Sequence, residues 1–248
     1  MAELRRRLGG SPEALLGRAR KLAAAGRMAE ALAIWRRLAE AGVPRAQANY
    51  GACFATGNGA PLDPAAARLW LRRGAEAGDS LGQRNLATLL LPEDPAAAAS
   101  WYRRAGEQGD AASQDQLSRM LLASGPTQDL AEARRLAEQA ARQGIAAAAS
   151  RLGTMCHDAA GGPRDPAQAA HWWRVAAEAG DADAAAMLGA ALHMGQGTPR
   201  DQVEAMAWLL VGSRRHSILV RPFLARVEAG LAPAELAAAE ALAARRAG

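Results

Sequence analysis

A short tail recurs along the chain and fixes what it can fold into. AEAG closes at Ala39–Gly42. GAEAGD follows at Gly74–Asp79, GEQGD at Gly106–Asp110, AARQGI at Ala140–Ile145 and AAEAGD at Ala176–Asp181. The closing glycines Gly42, Gly78, Gly109, Gly144 and Gly180 are spaced by 36, 31, 35 and 36 residues. A period in that range marks stacked two-helix units, each of which buries its apolar face only against its neighbours. Half of the residues are hydrophobic and only 4% are aromatic, with alanine the main apolar residue. Alanine is the strongest helix former and lets helices approach closely. The expected fold is therefore all-α.

Residues 46–79 serve as the type unit. A first helix, A, is predicted over Ala46–Thr56, ended by Gly57-Asn58-Gly59, since glycine accepts the left-handed conformation that closes a helix. Asp63 is a good N-cap and Pro64 suits the first helical position, so a second helix, B, is predicted over Pro64–Ala77. Asp79 then caps the next helix A. The cap-plus-proline pair returns at Asp94-Pro95 and Asp165-Pro166, and Asp129 and Asp201 keep the cap alone. Between Leu91 and Asp94 the turn glycines are missing, which explains the 31-residue step.

Registering the units on the closing glycine produces columns on helix B. One holds Ile34, Trp70, Trp101, Leu136, Trp172 and Trp208. The next holds Trp35, Leu71, Tyr102, Ala137, Trp173 and Leu209. These side chains are expected to pack between successive units rather than to form a stacking platform for bases or sugars. A further column of Arg36, Arg72, Arg103 and Arg174 is followed four residues on by Glu40, Glu76, Glu107 and Glu178. The i,i+4 spacing predicts local neutralised pairs rather than a phosphate-binding ladder.

The net charge is +5, and Lys21 is the single lysine among 30 basic residues. With 29 arginines and two tyrosines, little titrates in the alkaline range, so a pI near 10.1 overstates a mild positive excess. No apolar stretch of signal-peptide or membrane-spanning length is found, and the two cysteines, Cys53 and Cys156, lie too far apart to pair in a rod-like stack. They are expected to be buried small residues in a reducing, cytoplasmic setting. Arginine in place of lysine with abundant alanine points to a GC-rich bacterial genome.

Together the units read A-x-x-x-[LY]-G-x-x-x-x-x-G-x-G-x-x-x-D-x-x-x-A-x-x-W-x-x-x-A-E-x-G-D. This resembles the Sel-one-like repeat (SLR), a branch of the tetratricopeptide (TPR) superfamily. The clearest matches are 46–79 and 182–211, through Tyr50-Gly51, Leu188-Gly189, Asp63, Asp201, Trp70 and Trp208. Residues 146–181 match through Leu152-Gly153, Asp165 and Trp172, whereas 80–110 and 111–145 are degenerate. The expected organisation is a basic segment over 1–11, a TPR-like first helix pair over 12–42, SLR repeats over 43–216 and capping helices over 217–248. Within the last part Ile218–Ala229 and Pro233–Arg246 read as helices, while Val211–His216 departs from the usual tail. The resemblance implies a right-handed superhelix of about six to seven antiparallel helix pairs, with a concave face lined by A helices. It also implies an adaptor that holds proteins or peptides. Some bacterial relatives lie in the periplasm and carry a disulfide in each repeat; this chain lacks those cysteines.

On helix A, the position before the Leu/Tyr of the repeat runs Asn49, Asn85, Gln116, Arg151, Met187. In tetratricopeptide relatives helix-A asparagines and basic residues hold a peptide backbone or carboxylate. Asn49, Arg84, Asn85, Arg119 and Arg151 are thus the candidate partner-binding residues. The arginines, read as lacking matching acids on these helices, point to an acidic segment. The alternative is nucleic-acid binding through arginine clusters, Arg5, Arg6, Arg7, Arg18, Arg20 and Lys21 at one end and Arg214, Arg215, Arg221 and Arg226 at the other. It is disfavoured, because the charge excess is small. Self-association through the alanine-rich Pro233–Arg246 is a further expectation if its apolar stripe is left uncovered. No catalytic or metal-ligand pattern occurs: His157 and His193 sit in adjacent units, and the Gly-x-Gly turns follow no strand. The chain is expected to be no enzyme and to need no cofactor.

Overall fold

The computed structural model describes residues 9–123 and 128–247, and among them there are fourteen α-helices and no strand. They run as tandem pairs: α1 (Pro12–Ala24) with α2 (Met28–Glu40), α3 (Pro44–Thr56) with α4 (Pro64–Glu76), α5 (Ser80–Leu90) with α6 (Pro95–Glu107), α7 (Ala111–Leu122) with α8 (Leu130–Arg142), α9 (Ala146–His157) with α10 (Pro166–Glu178), and α11 (Ala182–Met194) with α12 (Gln202–Arg214). A 3₁₀ turn at Ile218–Val220, α13 (Arg221–Glu228) and α14 (Pro233–Ala247) follow. The chain divides into two compact units, Met1–Gln114 and Asp115–Gly248, with the boundary inside α7.

Local chemistry sets the helix ends. The carboxylates of Asp63, Asp79, Asp94, Asp129, Asp165, Asp181 and Asp201 each accept a backbone N–H from the first turn of the helix they precede, satisfying donors that have no intrahelical partner. Helix α3 starts two residues before the predicted Ala46, because Pro44 occupies its first position. The recurring tail closes each B helix. After α4, Gly78 adopts φ +88°, and Asp79 N–H reaches back to the carbonyl of Gly74 at 3.0 Å. This six-to-one bond satisfies an orphan carbonyl of the last turn. After α12, where the sequence departs from the tail, the same bond forms from Ser217 N–H to Gly212 at 2.9 Å, with His216 at φ +66° in the glycine's place. The segment expected as one helix over Ile218–Ala229 begins as a 3₁₀ turn and becomes α-helical only from Arg221.

Close approach within a pair depends on the glycine of the Tyr-Gly or Leu-Gly dipeptide in helix A. A Cβ on Gly51 would lie 2.8 Å from the backbone nitrogen of Leu71, and one on Gly189 would lie 2.8 Å from Cγ of Leu209. At Gly153 the side chain that occupies this space is the Trp173 indole. In these three pairs the second column of helix B packs against the glycine, and Trp35, Leu71, Tyr102, Ala137, Trp173 and Leu209 are all buried.

The first column differs from expectation. Successive positions lie about 100° apart around a helix, so the residue before the buried one falls at the rim. Leu136 and Trp208 are buried, but Ile34, Trp70, Trp101 and Trp172 are only partly so. Trp70 still meets its own pair, its ring 5.3 Å from Tyr50 in an edge-on contact.

A feature unread in the sequence joins consecutive pairs in the first unit. Gln47, Gln83 and Gln114, all buried at the start of A helices, donate from Nε2 to the carbonyls of Ala39, Ala75 and Gly106, each eight residues back in the preceding B helix. Each bond satisfies a carbonyl near a helix C-terminus.

Candidate functional site

The A helices of the first unit frame a cleft of about 570 Å³, lined by Leu16 and Arg20 of α1, Trp35 of α2, Arg45 and Asn49 of α3, and Leu81 of α5. Glu13 of α1 also lines it. Asn49 is half-buried and makes no hydrogen bond with the described residues; the same holds for Asn85 on α5. An amide side chain both donates and accepts, so such a group can satisfy a peptide bond from another chain. The indole N–H of Trp35, on a side chain that lines the cleft, is buried and has no partner among the described residues.

The arginines proposed alongside them are placed differently. Arg84 donates to Asp110 at 2.8 Å, and Arg151 donates to Asp115 at 2.7 Å, with both side chains of the latter pair nearly buried at 12% and 11% exposure. The reading that these A-helix arginines lack matching acids is thus corrected for two of the three: Asp110 caps α7, and Asp115 lies on it. Arg119 alone of the three is exposed, with no ion pair among the described residues. The structure brings Asn49, Arg84 and Asn85 into the first unit, and Arg119 and Arg151 into the second.

The cap carboxylates do double work. Asp79 uses Oδ1 for the N–H of Gly82 and Oδ2 for Arg45 at 2.6 Å. Asp110 uses Oδ1 for the N–H of Ser113 and Oδ2 for Arg84. The helix-B arginine column is also more varied than its spacing suggested. Arg36 pairs with Glu40 at 2.8 Å as expected, but Arg174 turns to Glu204 of the next B helix at 2.6 Å, because Glu204 is drawn into a larger cluster there. Burial pushes the Glu204 carboxyl up, but hydrogen bonds and charge from Arg174, with Trp208 and Arg246, outweigh it and hold the group below the ordinary carboxylate range.

That cluster seats the last helix. Arg246 of α14 lies over the Trp208 ring, 4.2 Å from its centroid, and donates to Glu204 at 3.1 Å. Ala239 and Ala243 of α14 are fully buried. The apolar stripe expected to seek a partner is therefore covered within the chain, which removes the motive for self-association through it.

Of the terminal basic clusters, Arg5, Arg6 and Arg7 lie outside the described residues, as does most of the 1–11 segment. Arg18, Arg20, Lys21, Arg214, Arg215, Arg221 and Arg226 are exposed. Cys53 and Cys156 are unpaired and buried, and burial pushes both thiols up. Among the described residues no cluster of three or more metal-ligating side chains occurs, and no helix is long and apolar enough to cross a membrane.

Tandem helix pairs drawn together by alanine and glycine, with polar groups left unpaired on the A helices, define a helical-repeat protein. The Sel1 repeat profile matches residues 44–79, 81–110, 111–145, 146–181 and 182–214. The chain belongs to the Sel1 repeat family, within the TPR-like superfamily. It is similar to a protective antigen of uropathogenic Escherichia coli that displays an SLR fold: 31% identical, TM-score 0.78, covering 88% of this chain and 48% of that one. The chain thus spans about half the length of that relative. It also shares its fold with a Sel1 repeat protein from Oxalobacter formigenes, at 24% identity and TM-score 0.73 over 93% of this chain and 99% of the other. None of the curated proteins matches the chain. Sel1 repeat proteins generally act as non-catalytic scaffolds for protein–protein interaction.

Proposed function

We propose that this chain is a bacterial, cytoplasmic adaptor that holds a partner protein or peptide on the face formed by its A helices, the concave face of the repeat array. The observation that carries this reading is the cleft beside Asn49, where an unpaired amide meets the exposed Arg20 and the apolar Leu16 and Leu81. Such a lining suits an extended segment: the amide takes a peptide bond and the guanidinium takes an acidic group. Asn85 extends the set within the first unit and Arg119 is a separate candidate in the second; neither makes a hydrogen bond or ion pair with the described residues. Arg84 and Arg151 serve this surface by fixing helices.

The test is capture of partners from the native cell, identification by mass spectrometry, and remeasurement with purified components. Asn49→Ala combined with Asn85→Ala should weaken capture at least about tenfold, equivalent to about 1.4 kcal/mol, with melting unchanged. Equal capture by the double variant would remove the A-helix face from consideration.

A further inference from the structure

We infer that Trp172 marks an unfilled cation seat on α10, which takes an arginine presented by an alanine-rich helix of a partner protein. The inference concerns a different surface from the A-helix cleft and does not rest on it. Four tryptophans share the first column of helix B. The ring of Trp70 carries the guanidinium of Arg73, 4.7 Å from its centroid, and that of Trp101 carries Arg104 at 4.6 Å. Each of these arginines stands three residues on along the same helix, the spacing at which helical side chains meet. Trp208 has Val211 at that spacing and takes its cation from Arg246 of α14. Trp172 has Val175 there, and among the described residues no guanidinium or ammonium covers its ring.

The surroundings of Trp172 suit a cation. Its indole N–H donates to Gln168 at 3.1 Å, which fixes the ring, and the edge-on His171 ring lies 4.9 Å away. Trp172 borders a cleft of about 560 Å³ whose walls include Glu138 with its partner Arg142, and Asp165. At Trp208 the arginine finds both a π face and a carboxylate, Glu204. Gln168 stands at the repeat-equivalent position of Glu204, and Glu138 at that of Arg174, so beside Trp172 the acid sits on the opposite wall. Glu138 is held by Arg142 in an exposed i,i+4 pair, a type of contact that an incoming arginine replaces readily.

The chemistry of the occupant is read from α14, which packs on α12 and covers the column-equivalent Trp208 ring. Its fully buried Ala239 and Ala243 let the backbone come close, while Arg246 delivers the charge. A partner helix with small residues along one face and an arginine over the indole fits the same way. Cation–π contacts of this kind strengthen as the pair is desolvated.

The probe is a fluorescent peptide with the sequence of residues 233–248, titrated into the full-length protein and followed by anisotropy. Saturable binding is expected. It should weaken about fivefold or more on Trp172→Ala, and equally on Arg246→Ala in the peptide, the order expected for one cation–π contact. Val175→Arg should weaken it to the same extent, because it installs the own-helix cation seen at Trp70 and Trp101 while keeping the indole. Trp101→Ala should leave it unchanged. Absence of saturable binding, or equal binding by the Val175→Arg protein, would overturn the proposal. A dimer of the intact protein in sedimentation, dissolved by Val175→Arg, would make the occupant a second copy and overturn the separate partner.

Discussion

Asn49 and Arg151 occupy one column of the repeat yet do opposite things. Asn49 is unpaired beside a cleft, whereas Arg151 is 12% exposed and tied to Asp115 at 2.7 Å. Removing one partner of a nearly buried ion pair leaves the other charge uncompensated, which costs on the order of 3 kcal/mol. Arg151→Ala is accordingly expected to lower the unfolding free energy in urea denaturation by about that much, seen as a lower midpoint. Asn49→Ala should stay within about 0.5 kcal/mol of the parent, as for a surface polar group. A destabilised Asn49→Ala protein would show that the amide is structural. The column was legible in the sequence, but this difference was not. The acid that claims Arg151 lies 36 residues back, in a repeat too degenerate for its Asp115 to stand out.

At the scale of single elements, what was legible is what is local. A cap aspartate, a proline at the first position and a closing glycine act within a few residues, and the structure shows them where the pattern put them. Val211–His216 departs from the tail in sequence, yet the bond that defines the tail survives with His216 at φ +66°. A side chain in that conformation is strained by about 1 kcal/mol or more, partly offset in glycine by its greater freedom when unfolded. His216→Gly should therefore raise stability by about 0.5 kcal/mol in chemical denaturation. A decrease would mean that the His216 ring contributes a contact the strain argument omits. Which tryptophan column is buried was not legible, because it depends on how far each B helix is rotated against its A helix. That rotation is set by the contact of Leu71, Trp173 and Leu209 with the helix-A glycines.

For the whole chain, the order of the hairpins over 46–211 is legible in the repeat, while the seating of α14 is not. Composition marked α14 as an alanine-rich helix without saying what covers it. The cover depends on Glu204, which accepts from Arg174, Arg246 and the Trp208 indole. Its carboxyl titrates below the ordinary value of 4.5 in the folded chain. A depressed folded-state value adds stability that is complete above the unfolded value and is lost as pH falls through the folded one. Below about pH 4.5 the C-terminal helix is thus expected to loosen, seen as faster amide exchange over 233–247 than over α11. Glu204→Gln should loosen α14 already at neutral pH and flatten this acid dependence. An acid response unchanged by Glu204→Gln would place the labile group elsewhere.

The doubled role of Asp79 and Asp110 reaches beyond stability. One oxygen starts a hairpin while the other grips an arginine from the hairpin before it, so at these two seams the junction is written into the few residues around Gly78 and Gly109. A stretch of DNA copied from one such seam to the next would carry a finished junction at both ends. The array can then gain or lose a whole module in a single genetic event without inventing a new contact. The 31-residue module, trimmed at Leu91–Asp94 and not at its seam, shows the same tolerance within one hairpin.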